Sequence, residues 1–169
     1  MKVKFKRYNE NARIPEKAHP SDFGFDVYAV SEKEIAPNVW QYGLGFGLQI
    51  ERDWEKITED QRKGEYHRIS DTELDFRRSP LNLSIDIRPR SSVWKTGMVL
   101  SNSCGTIDEN YTGEIKAVFY HVMPNMPRYK VGDKIAQCKL GMAFPMEFIE
   151  VDSLNETDRG DRGFGSSGK

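Results

Sequence analysis

Residues 81–88 read Leu-Asn-Leu-Ser-Ile-Asp-Ile-Arg, so Leu81, Leu83, Ile85 and Ile87 alternate with Asn82, Ser84, Asp86 and Arg88. A strict period of two describes a strand with one face in a core and the other toward water. The same alternation opens the chain, where Val3 and Phe5 stand between Lys2, Lys4 and Lys6. Shorter apolar runs follow at 25–30, 45–50, 98–100, 115–122, 134–140 and 146–151, most of them bounded by Gly, Pro, Asn or Asp. Short strands at strand-plus-turn spacing predict an all-β sandwich or barrel. At 169 residues the chain is one domain by size, predicted as a β domain over 1–154 and an arm over 155–169.

Composition narrows the partners. Lys+Arg 25 against Asp+Glu 26 gives a formal charge of -1, without the broad basic field that duplex binding needs. No apolar run approaches the ~18 residues of a membrane span. Neither nucleic acid nor membrane is therefore an expected partner. MKVKFKRYNEN has no apolar core or cleavage site of a targeting peptide, which predicts a cytoplasmic protein. Cys104 and Cys138 then read as reduced thiols, and their spacing makes no zinc site.

Two segments depart from the β pattern. Residues 51–80 are dense in charge and contain Thr58 followed by Gln61, a capping box, so they are expected to be a partly helical insertion. The tail NETDRGDRGFGSSGK has one aromatic among glycines, charges and hydroxyls, too little to pack a core, and is expected to be mobile.

Several short segments carry chemistry-bearing side chains. Arg90-Ser91-Ser92 ends the central strand, and a guanidinium fork with two hydroxyls and turn N–H groups suits phosphate oxygens. Asp108 and Tyr111 lie in CGTIDENYTGEIKAVF, which reads as a β-hairpin with Asp108 at its mouth. Such an Asp suits a general base, although on pattern alone an Asx-turn Asp with a packed Tyr111 is the commoner use of these residues. Gln137 projects from a strand. In the tail, Arg159, Phe164, Ser166 and Ser167 among glycines combine an anion nest with a face for a planar ring. Asp22 and Asp26 in HPSDFGFDVYAV could reach the waters of a phosphate-borne Mg²⁺, or serve as turn and strand-start residues. His19, His67 and His121 lack metal-ligand spacing, and the chain has neither a P-loop nor a GxSxG elbow.

In their order, these segments resemble the five motifs of the trimeric dUTPase family: SDFGFDVYA (21–29), PRSSVWKTG (89–97), NSCGTIDENYTGEI (102–115), GDKIAQCKL (132–140) and RGDRGFGSSG (159–168). The resemblance implies a homotrimer of jelly-roll, β-barrel-like subunits whose active sites are shared between chains. It implies hydrolysis of dUTP to dUMP and pyrophosphate, with Mg²⁺ carried on the triphosphate. Asp108 matches the residue that activates the attacking water at the α-phosphate. Asn102, Gly105, Tyr111 and Lys116 fall where the family reads base and sugar, and Phe164 where it covers the base. Arg90, Ser91, Ser92, Gln137, Arg159, Ser166 and Ser167 match phosphate contacts. Asp26, followed by Asp22, matches contacts to the Mg²⁺ shell through water.

The chain departs from the family pattern at the 51–80 insertion, at Phe23 and Ser92 where smaller residues are common, at Ser167 for Thr, and at Arg162 for Gly. Two other readings compete. A dCTP deaminase shares the fold but needs a Glu on the strand after Gly113, where this chain has Val118. The insertion could also dock a protein partner in a regulatory role.

Overall fold

The computed structural model describes residues 2–51 and 82–162 in full, with strand backbone at 68–70 and 73–74. The central alternating stretch forms β8 (Asn82–Pro89), with Leu83, Ile85 and Ile87 buried. It is flanked by β10 (Gly105–Asp108) and β12 (Lys134–Ala143), and β2 (Phe25–Tyr28) pairs with the far edge of β12. All these pairings are antiparallel. A second four-stranded sheet runs β3 (Ser31–Ala36), β4 (Val39–Gly43), β11 (Lys116–His121) and β9 (Met98–Leu100). The N-terminal alternation forms β1 (Lys2–Arg7), paired with β5 (Phe46–Glu51). Among the described residues the fold is all-β apart from one 3-10 helix, Ser91–Thr96, as the sequence predicts.

The core is built from Val27, Tyr42, Leu44, Phe46, Ile87, Ile115, Phe119 and Ile135, each essentially without solvent contact. Tyr42, Phe119 and Tyr129 meet edge to face, with ring centroids 5.4–6.3 Å apart. The buried Tyr42 hydroxyl donates to the Tyr129 carbonyl at 2.9 Å, so its burial leaves no donor unmatched. Removing the Phe119 ring would cost about 3–5 kcal/mol in lost transfer energy and cavity.

The structure corrects the sequence reading at several places. Residues 104–119 are not a hairpin. β10 pairs with β8 and β11 with β4 and β9, so 109–115 arch from one sheet to the other. Local turn residues signal a reversal but cannot say whether the returning strand rejoins its predecessor. A hairpin, β3–β4, is hidden in the sequence because charged Glu32, Lys33 and Glu34 mask its alternation; Asn38 at φ 59 makes its turn. Residues 146–151 form no strand, and Met146, Phe148 and Ile149 are at least 74% exposed. Of 51–80, Glu51 closes β5, while β6 (Arg68–Ser70) and β7 (Glu73–Leu74) pair antiparallel. The predicted helix start at Thr58 and Gln61 lies outside the described residues.

Candidate functional site

Strand register builds a polar row across the first sheet. Arg88 on β8 stands opposite Gln137 on β12, and Gln137 stands opposite Asp26 on β2. Cross-strand partners share a face, so residues from three separate segments meet over one patch. Arg90 follows at the end of β8 with extended backbone, and its carbonyl accepts from the Val93 N–H at 3.0 Å, opening the 3-10 turn that carries Ser91 and Ser92. Gly97 ends that turn at φ 58; a Cβ there would sit 2.8 Å from Met123, so only glycine fits.

Asp26 holds this patch together. It is 3% exposed, with Oδ1 3.2 Å from Arg90 Nε and Oδ2 accepting from Lys134 Nζ at 3.0 Å. Gln137 Nε2 approaches Oδ1 at 3.5 Å. Burial pushes the Asp26 carboxyl up, but the Lys134 hydrogen bond and the Arg90 and Lys134 charges outweigh it and leave the group below its ordinary value. Arg90 Nε has no hydrogen-bond partner, so charge holds it to Asp26. The patch opens into a cradle of about 310 Å³ walled by Asp22, Phe23 and Gly24. Gly24 lies against Gln137, where a Cβ would come within 3.1 Å of its side chain. Asp22 Oδ2 is occupied in accepting from the His19 N–H at 2.8 Å.

The residues predicted for water activation and base recognition lie elsewhere. Asp108 ends β10 opposite Ser84, and Arg90 is six residues farther along the β8 direction, which separates them by roughly 20 Å. Asp108 is exposed, and no described residue pairs with its carboxylate; its carbonyl accepts from the Tyr111 N–H at 2.9 Å. Tyr111 is half exposed and donates its hydroxyl to the Glu114 carbonyl at 2.9 Å, which lays the ring over Gly113. Asn102 lies against Gly105, and Lys116 opens β11 with Glu114 3.8 Å away. Val118 is half buried on β11, so the deaminase position carries no proton-transfer group.

In the arm, Arg159 and Arg162 are exposed and turn back on local backbone: Arg159 Nε donates to the Arg162 carbonyl at 3.0 Å, and Arg162 Nε to the Arg159 carbonyl at 3.1 Å. Phe164, Ser166 and Ser167 lie outside the described residues. Cys104 and Cys138 are both free, and burial pushes the Cys138 thiol up to about 11.

The sequence profile of the dUTPase family matches residues 66–168, more than half of the chain. The chain belongs to the dUTPase family. It is 32% identical over 170 residues to the deoxyuridine 5'-triphosphate nucleotidohydrolase of Helicobacter pylori (strain P12), covering 99% of this chain and 97% of that protein. Its fold matches the Staphylococcus bacteriophage 80alpha dUTPase with dUPNHPP at TM-score 0.68 and 20% identity, over 99% of both chains. It also matches a mutant dUTPase of S. aureus phage phi11, described with a structural Mg(II) ion, at TM-score 0.61 and 17% identity, over 92% of this chain and 100% of that one.

For a dUTPase-family chain, a resident metal is a poor fit to the residues present. Among the described residues no group of three or more His, Cys, Asp or Glu is placed to hold a metal. Both Asp26 oxygens already face cations. The cradle suits a metal that arrives on a phosphate and keeps its waters. Sequence reasoning missed Lys134, Asp86, Arg88 and Lys139 as members of this dUTPase-family patch. Alternation in NLSIDIR put Asp86 and Arg88 on the polar face, and Lys139 shares a face with Gln137. Lys134, three residues before Gln137, reaches Asp26 only through the register shift between Lys134 and Ala136. Only register shows which of them meet.

Proposed function

We propose that this chain hydrolyses dUTP to dUMP and pyrophosphate, as a homotrimer whose sites join the cradle of one chain to the Asp108 end of another. Membership of the dUTPase family supports the reaction, and the observation that carries the assembly is the separation of Arg90 from Asp108 within one chain. Attack on a phosphate requires the water and the phosphate within about 3–3.5 Å. Two chains can supply that contact where one cannot. Met142, Phe144, Met146, Phe148, Ile149, Val151 and Leu154 are all exposed in the single chain, an apolar stretch that further copies would cover.

In the assembled site, Arg90, Ser91, Ser92 and Gln137 hold the phosphates, with Asp26 fixing Arg90. Asp108 orients a water and draws on its proton as its oxygen bonds to the α-phosphorus. The bond from that phosphorus to the bridging oxygen breaks, and pyrophosphate leaves. Tyr111 lies against deoxyribose, while Asn102, Gly105 and Lys116 present polar groups to the uracil edge, leaving unmatched partners for another base. The arm closes with Arg159, Phe164, Ser166 and Ser167 over base and phosphate and excludes water. Mg²⁺ carried on the triphosphate would neutralise part of its charge, and Asp22 would be the carboxylate to meet its waters, Asp26 being committed first to Arg90 and Lys134. The free state of both cysteines supports the cytoplasm as the compartment.

Pyrophosphate release measured on dUTP, UTP, dCTP and dTTP, with and without Mg²⁺, tests the proposal. Release from dUTP alone and dependent on Mg²⁺ is expected; no release from dUTP would overturn it. Sedimentation should give a trimer.

A further inference from the structure

The polar face of β8 does not end at the residues already placed on the phosphates. Asp86 and Arg88 precede Arg90 at two-residue intervals, so their side chains share its face. Lys139 stands opposite Asp86 as Gln137 stands opposite Arg88. Arg88 and Lys139 line the same cradle as Arg90 and Gln137.

Asp86 explains how a lysine comes to be fixed there. It is 8% exposed and accepts from Ser84 Oγ at 3.1 Å on Oδ1, while Lys139 Nζ lies 2.9 Å from Oδ2. Gly141 makes room for this arrangement, since a Cβ would collide with Ser84 Oγ and press on Asp86. A buried carboxylate needs one cation at close range, and Lys139, with its side chain only 18% exposed, is that cation. Arg88 is a different case. Its Nη2 is 3.7 Å from the same oxygen and its side chain is 55% exposed, so it is held loosely and is surplus to the neutralisation of Asp86. A guanidinium left over at the rim of an anion cradle, one strand position before Arg90 on the same face, has the geometry of a ligand-binding group.

We propose that Arg88, backed by Lys139, forms a diphosphate subsite that continues the cradle beyond Arg90 and takes the β- and γ-phosphates of the substrate and the pyrophosphate product. The subsite rests on the hydrolase reading for its place in turnover, but its chemistry is that of any diphosphate anion. Asp86 is its positioning residue: it holds the Lys139 ammonium at 2.9 Å, where the ammonium also donates to the Leu140 carbonyl at 3.3 Å. Phe23, whose ring lies 5.7 Å from Lys139 Nζ, lines that end of the cradle.

The proposal separates ligands that differ only in the diphosphate. In Arg88→Ala, KM for dUTP and the inhibition constant of inorganic pyrophosphate should each rise roughly tenfold, as for loss of one charge-assisted contact. Inhibition by dUMP, which lacks the diphosphate, should change less than twofold. Arg88→Lys should recover part of the loss. The double variant Asp86→Asn with Lys139→Gln removes one charge of each sign, leaving a neutral pair in place; it should weaken pyrophosphate more than dUMP. The same pyrophosphate and dUTP constants in Arg88→Ala as in the unaltered protein would overturn the subsite, as would an equal loss for dUMP. If the unaltered protein releases no pyrophosphate from dUTP, the hydrolase reading fails by itself. Calorimetric binding of inorganic pyrophosphate to it and to Arg88→Ala still decides the subsite, with equal affinities refuting it.

Discussion

The two ends of β8 are built on opposite plans. At the Arg90 end, a buried carboxylate grips two cations, a glutamine leans on it, and a cradle is finished within the chain. At the Ser84 end, the neighbouring Asp108 is exposed with no described partner for its carboxylate, and Tyr111 lies half in solvent. A preorganised cradle costs no rearrangement when phosphate arrives. Asp108, the acid proposed to activate water, is left open at a sheet edge. The contrast teaches that the proposed phosphate cradle is finished within one chain, whereas the proposed water-activating acid is left for association to complete.

Substitutions can break that contrast. Asp108→Asn should cost about 10³-fold in kcat with the thermal midpoint and trimer unchanged, because its fold contacts are made by backbone and its side chain has no described partner; pyrophosphate release and a thermal melt check both halves. Wild-type turnover would remove Asp108 from the mechanism. Truncation after Leu154 should lower kcat by roughly 10²-fold through lost closure, again with an unaltered melt, since residues 155–162 are exposed.

Asp26→Asn probes the other end, and there activity and stability should fall together. Removing the carboxylate leaves Arg90 and Lys134 facing each other without a counter-ion, and a drop of roughly 5 °C in thermal midpoint is expected beside a raised KM for dUTP. An unchanged melt would show that the cradle is not held by this residue.

Acid should act on the same end. Asp26 and Asp86 are both held below their ordinary value of 3.8, burial pushing each up but hydrogen bonds and neighbouring cations prevailing. Their stabilising contribution is therefore fully present above pH ~3.8 and is lost as pH falls through the lower folded values. Urea midpoints followed from pH 6 to pH 2 should fall steeply at the acid end, and Asp26→Asn should flatten that fall. The smallest effect is expected from excising residues 52–80 behind a short linker, which should leave dUTP turnover within about twofold; a large loss would tie the insertion to the site.

Much of the fold was legible because burial imposes a period. The buried Leu83, Ile85 and Ile87 could be read from alternation alone, and the sheet they anchor followed. Two features escaped for opposite reasons. β3 carries Glu32, Lys33 and Glu34 at a surface edge, so its pattern is charge, although its backbone pairs with β4 along its length. Residues 146–151 are apolar enough for a strand, but no described strand pairs with them. Residue types suited to phosphate were visible in Arg90, Ser91 and Gln137, a guanidinium and a hydroxyl at the end of β8 and an amide within β12.

By itself, then, the sequence determined the β class, the buried face of β8, though not that of β1, whose Val3 stays exposed, and the motif set that marks a dUTPase-family chain. These depend on neighbours a few residues apart, where side-chain spacing is fixed by backbone geometry. The tertiary structure alone decided that 109–115 arch between sheets, that Asp26 grips Arg90 and Lys134, and that Arg88 and Lys139 join the cradle. It also decided that Asp108 stands far from Arg90 in its own chain. Those facts depend on which strands lie side by side and in what register, a choice made by the packing of the whole core.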